Sequence, residues 1–230
     1  MSDPLEDLEK TAELLPAAAA GVKLGDQAKQ KLDRFADVAR QERRLRASIE
    51  LANLLDGQKD SQVKAQVEKA LDAAEGAAEA MQEVEDEQSL ADAVSEYQGF
   101  VQALSTLEVA VRPLWTRTID QQFVSLGSVG ALLEAFPNAR DLGTRMVGAA
   151  KTAQKHAQTS VIDLPAIVED LFSQRSDLLQ EQQKVAGNPK VSAFLQALAD
   201  DRATLDHLHQ EVLEWLDDQD ALSSLKVSPV

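Results

Sequence analysis

The chain has 230 residues, 44% of them apolar and 4% aromatic, and a formal net charge of −16. It contains no cysteine, which excludes disulfides, thiolate metal sites and a cysteine nucleophile. So large a carboxylate excess repels free nucleic acid and anionic membranes, since both are held through Lys and Arg.

The apolar mass comes from Ala, Leu and Val, interleaved with Gln, Glu and Lys, and most of these residues favour helix. Ten Gly and seven Pro are few for a chain rich in turns and strands, so the expected fold is all-α. The N-terminal MSDPLEDLEK is acidic where a secretory signal would be basic, and no apolar run approaches the ~18 residues of a membrane span. These features predict a soluble, cytoplasmic protein.

In chain order, Ser2, Asp3 and Pro4 form a helix start, and Pro16 ends the helix that carries Leu5, Leu8, Leu14 and Leu15. A second helix is predicted over Asp26–Asp56, with the seam Phe35, Val38, Glu42, Leu45, Ile49, Ala52, Leu55 and a stop at Gly57. Asp60 or Ser61 restarts a third, whose seam is Val63, Val67, Ala70, Ala74, Ala77, Met81, Val84. Sustained 3-4 spacing predicts an antiparallel coiled-coil hairpin, with Glu42 as a polar member that fixes register.

A break at Glu85–Ser89, capped by Ser89 with Asp92 at capping-box spacing, leads to a fourth helix through Leu90, Val94, Tyr97, Val101, Leu104 and Val111. Continuity of the third and fourth helices is the alternative. Pro113 is expected to kink or end this stretch, before a segment holding Trp115, Ile119, Phe123 and Leu126. Gly127, Gly130, Pro137 and Gly143 then predict short helices and tight turns. Asn138, with Asp141, caps a helix to about Gln158, and Asp163 with Pro165 opens one ending near Gln183. Gly187-Asn188-Pro189 marks a sharp boundary, after which Val191, Phe194, Leu195 and Leu198, then Leu205, Leu208, Val212 and Trp215, are expected core. Ser228–Val230 should fray. The expected organisation is an N-terminal helix plus coiled-coil arm over 1–112 and a compact helical bundle over 113–230.

Charge is sorted along this chain. Lys23–Arg46 carries eight basic and four acidic residues, whereas Ala70–Val111 carries ten acidic residues and no Lys or Arg. Folding back at Gly57 would set Arg40, Arg43, Arg44 and Arg46 opposite Asp72, Glu75 and Glu79, with Glu83 continuing the acidic stripe. Those residues are therefore candidate inter-helix ion pairs or a partner-binding surface. A stripe of carboxylates also raises the alternative of nucleic-acid mimicry against a basic protein.

Catalytic and cofactor signals are weak. His207 and Glu211 are four apart, but no HExxH accompanies them and two ligands make a poor metal site. There is no Walker-type phosphate loop and no G-x-S-x-G elbow, and carboxylates are too abundant for one pair to stand out as an acid/base couple. Neither a cofactor nor a metal is expected. Trp115 reads as core, and Trp215, in a terminal amphipathic helix, is core or an interface anchor. The expected function is non-enzymatic: an adaptor, regulatory or accessory subunit whose partner is another protein, a basic one among the candidates. The seams suit a homo-oligomer equally well, and an enzyme without a familiar motif is the third alternative.

Overall fold

The computed structural model describes residues 35–219 and 221. The expected helix from Ser2 to Pro16 and the fraying tail at Ser228–Val230 lie outside them. The described residues form helices and turns with no strand, so the fold is all-α. They divide into two compact units, one of residues 35–114 and 160–165, the other of residues 115–159 and 166–221.

The first unit is built on α1 (Val38–Leu54), α2 (Ser61–Gln82) and α3 (Glu87–Thr118, of which residues to Leu114 belong here). Contacts along the helices fix their directions. Asp37 meets Tyr97 and, seven residues on, Arg44 meets Glu108, so α1 and α3 ascend together. On α2, a Cβ placed on Gly76 would lie 3.8 Å from the Glu96 carboxylate, so this part of α2 lies beside α3.

The seams explain why three helices form. On α2, Val63, Val67, Ala70, Ala74, Ala77 and Met81 are buried, as their spacing predicts. On α3 the buried row is Leu90, Ala93, Tyr97, Phe100, Leu104, Leu107, Val111 and Leu114, an unbroken 3-4 repeat. The α2 alanines and, on α3, Tyr97, Phe100 and the leucines are all buried, so small and large side chains share the core of this unit. Phe35 packs on Tyr97 with ring centroids 5.3 Å apart.

Turn and cap chemistry departs from the sequence reading in two places. The left-handed residue after α1 is Asp56 (φ 57°), and Gly57 instead opens a short 3-10 turn. Gly57 is needed there for space, since a Cβ would sit 2.8 Å from the Ala52 carbonyl oxygen and 3.0 Å from Leu114. At the start of α3 the cap is Asp86, not Ser89. The Asp86 carboxylate accepts from the Ser89 amide at 2.8 Å, and Ser89 Oγ accepts in return from the Asp86 amide at 2.9 Å. This is a reciprocal capping box placed three residues earlier than expected. The Ser89 amide and then the Ser89 hydroxyl, both donating to it, hold the Asp86 carboxyl below its ordinary range. Asp60 caps α2 by accepting from the Gln62 and Val63 amides. Replacing it with alanine is expected to lower unfolding free energy by ~1 kcal/mol in a denaturant titration; an unmoved midpoint would remove the cap from the account.

Pro113 neither ends nor splits α3, which continues to Thr118. The ring lies on the exposed side of the helix, where the missing amide hydrogen bond leaves a carbonyl that water can satisfy. A π-helical segment, Ile119–Val124, follows, with Ile119 and Phe123 buried.

In the second unit, α4 (Ser125–Leu133) and α5 (Arg140–Lys155) are followed by α6 (Leu164–Ala186, of which residues from Ala166 belong here), α7 (Pro189–Ala199) and α8 (Gln210–Asp218). Gly127, Gly130 and Gly143, read as turn residues, lie inside helices. They are the floor of a close crossing: a Cβ on Gly143 would fall 2.5 Å from the Gly130 carbonyl oxygen, and one on Gly127 2.9 Å from the Ala150 Cβ. Asn138 does not cap α5, whose N-cap is Ala139 without a side-chain hydrogen bond. Asn188 does cap α7, accepting from the Lys190 amide at 2.8 Å, with Pro189 in the first turn and Gly187 at φ 63°. Trp115 is fully buried, donates its indole N–H to the His156 carbonyl and meets Phe123 edge-on; Phe123 stacks on Phe172.

Candidate interaction surface

The four arginines of α1 do not act together. Arg44 makes a two-pronged pair with Glu108 of α3, Nε to Oε1 at 2.9 Å and Nη2 to Oε2 at 2.6 Å. Arg46 turns back along its own helix to the buried Glu42 at 2.6 Å. Arg43 is exposed and donates to the Ala39 carbonyl, and Arg40 is exposed. The expected pairing with Asp72, Glu75 and Glu79 is therefore corrected. The physical reason is the third helix, which brings Glu108 to the flank of α1.

Arg44 belongs to a longer chain of polar groups joining α1 to α3. Its Nη1 donates to Gln41 Oε1 at 2.6 Å, Gln41 Nε2 donates to one oxygen of Asp37, and the Tyr97 hydroxyl donates to the other. Gln41 and Tyr97 are both buried, and each polar group finds its complement, which such a site requires. The Glu108 hydrogen bonds raise the Arg44 pKa against the opposing effect of burial. Burial first, then the hydrogen bond to Asp37 and its negative charge, push the Tyr97 phenol far above its ordinary 10.0.

Tyr97 is the only tyrosine in the chain, so that shift is directly observable. The folded state holds the protonated phenol, and its contribution is complete below pH 10.0. It declines as pH rises above that value, because only the unfolded chain then ionises. Tyrosinate absorbance is expected to appear together with loss of helical circular dichroism in an alkaline titration. Ionisation near pH 10.0 with helicity intact would contradict the buried, hydrogen-bonded phenol.

The acidic stripe is exposed. Asp72, Glu75, Glu79 and Glu83 all lie on the solvent side of α2, and no ion pair among the described residues engages them. Beyond the turn, Glu85, Asp86, Glu87, Asp92 and Glu96 are exposed as well. The alternation of α2 places this row opposite the alanine seam: Ala70, Ala74 and Ala77 face the core, and the carboxylates at the intervening positions face water. At 1.5 Å per residue, Asp72 to Glu83 sets four charges at ~5.5 Å intervals along the axis. No lysine or arginine lies between Ala70 and Val111 to neutralise the row from within.

Trp215 is core. It is 8% exposed, donates its indole N–H to the Val185 carbonyl at 3.0 Å and packs edge-on against Phe136. Trp215 thus takes the core alternative of the sequence reading, packed within the second unit. His207 and Glu211 share no helix, since α8 begins at Gln210. His207 Nδ1 accepts from the Thr204 amide, and Glu211 pairs with Lys190 at 2.5 Å. Leu205, expected in the core, is 68% exposed because the chain between α7 and α8 is a turn and a 3-10 segment, not a helix.

Other perturbed carboxylates sit at surface ion pairs. Arg145 holds Glu181 below its ordinary range, Arg202 does so for Asp200, and Lys190 for Glu211. Among the described residues, no group of three or more His, Asp or Glu is placed to hold a metal ion, and no helix is long and apolar enough to cross a membrane. No protein-family model matches the chain, and no curated protein or solved structure matches it significantly.

Proposed function

We propose that the chain is a non-enzymatic interaction protein, an adaptor or accessory subunit that presents the carboxylate face of α2 and the α2–α3 turn to a basic partner protein. The observation that carries this reading is the row Asp72, Glu75, Glu79 and Glu83, exposed and outside every ion pair among the described residues. Like charges at i,i+3 and i,i+4 disfavour the helix that bears them by ~0.2–0.5 kcal/mol per pair. A partner carrying Lys or Arg at matching intervals would relieve that repulsion and gain on-rate from the field of the whole molecule. The described helices of the first unit supply rigidity, since α1 and α3 are tied by the Arg44–Glu108 pair.

The test is a quadruple neutralisation, Asp72→Asn with Glu75→Gln, Glu79→Gln and Glu83→Gln. Thermal stability is expected to hold or rise slightly, because like-charge neighbours are removed. A protein that co-purifies with the wild-type chain from its native cells is expected to be lost from the variant. A partner retained in full by a well-folded variant would overturn the assignment of this face.

Mimicry of nucleic acid is the second reading, favoured by the regular stripe. A duplex carries a charge about every 3.4 Å of axis on each strand, closer than the ~5.5 Å of this row. Mimicry therefore needs the acids of α3 to complete the pattern. Displacement of DNA from the captured partner, abolished by the same quadruple variant, separates it from simple adaptor binding.

A further inference from the structure

We draw no further inference here: the strongest candidate, the half-buried Arg175 guanidinium on α6, whose Nε has no hydrogen-bond partner and whose pKa burial lowers, carries nothing because no part of the structure shows what covers it.

Discussion

Replacing Gly143 with alanine is expected to destabilise the second unit by ~2–3 kcal/mol, a large share of the stability of a small helical domain. The new methyl carbon would meet the Gly130 carbonyl oxygen at 2.5 Å, the Glu134 amide nitrogen at 2.7 Å and the Leu133 carbonyl carbon at 3.0 Å. All three are backbone atoms, so no side chain can swing aside and α4 must move away from α5. Alanine's better helix propensity returns only ~1 kcal/mol. Gly148, five residues along the same helix, is the matched control, because a Cβ there meets nothing within 4 Å. Gly148→Ala is expected to stabilise by ~0.5–1 kcal/mol. Tryptophan fluorescence reads both variants, since Trp115 and Trp215 lie in this unit. Equal and opposite shifts are not required, but a neutral Gly143→Ala would mean that the two helices do not cross at this point.

Reversing Arg44 to glutamate carries the second large effect, a loss of ~2–3 kcal/mol. The side chains of Arg44 and Glu108 are 22% and 19% exposed. That places the pair between exposed bridges, worth ~0.2–1 kcal/mol, and fully buried ones, whose breakage costs ~3–5 kcal/mol. The reversal also leaves two carboxylates facing each other and strips Gln41 of a donor. Adding Glu108→Arg is expected to restore ~1 kcal/mol or more, the signature of direct coupling in a double-mutant cycle. Arg40→Glu and Arg43→Glu, at exposed positions, should each stay within ~0.5 kcal/mol of the parent. Loss of stability shared evenly among the three arginines would return the cluster to a diffuse electrostatic role.

The helical class and most of the core were legible because strict 3-4 spacing needs no knowledge of the partner helix. The α2 seam is buried from Val63 to Met81, whereas Val84, assigned to the same seam, lies past the helix end and is half-buried. The α3 seam was harder. Phe100 and Val101 are adjacent and both fit an apolar spacing, but the buried repeat runs through Phe100 and Leu107 and not through Val101. The presence of α3 beside α1 decided the Arg44 ion pair. With two helices, Arg44 has only the acids of α2 within reach; with three, a carboxylate 64 residues away becomes its neighbour. Glycine misled in the second unit because its two uses, freedom of φ and absence of a side chain, leave the same letter in the sequence. Gly187 shows the first and Gly130 the second. Asn188 before Pro189 was unambiguous because cap and proline report on the same turn.

The bare carboxylate row has a consequence for how the molecule behaves in a crowd. Two copies approaching through this face repel, and salt weakens that repulsion over a screening length of ~8 Å at physiological ionic strength. The same screening weakens the attraction of this face for any cationic surface, so raising the ionic strength lowers self-avoidance and electrostatic attraction together.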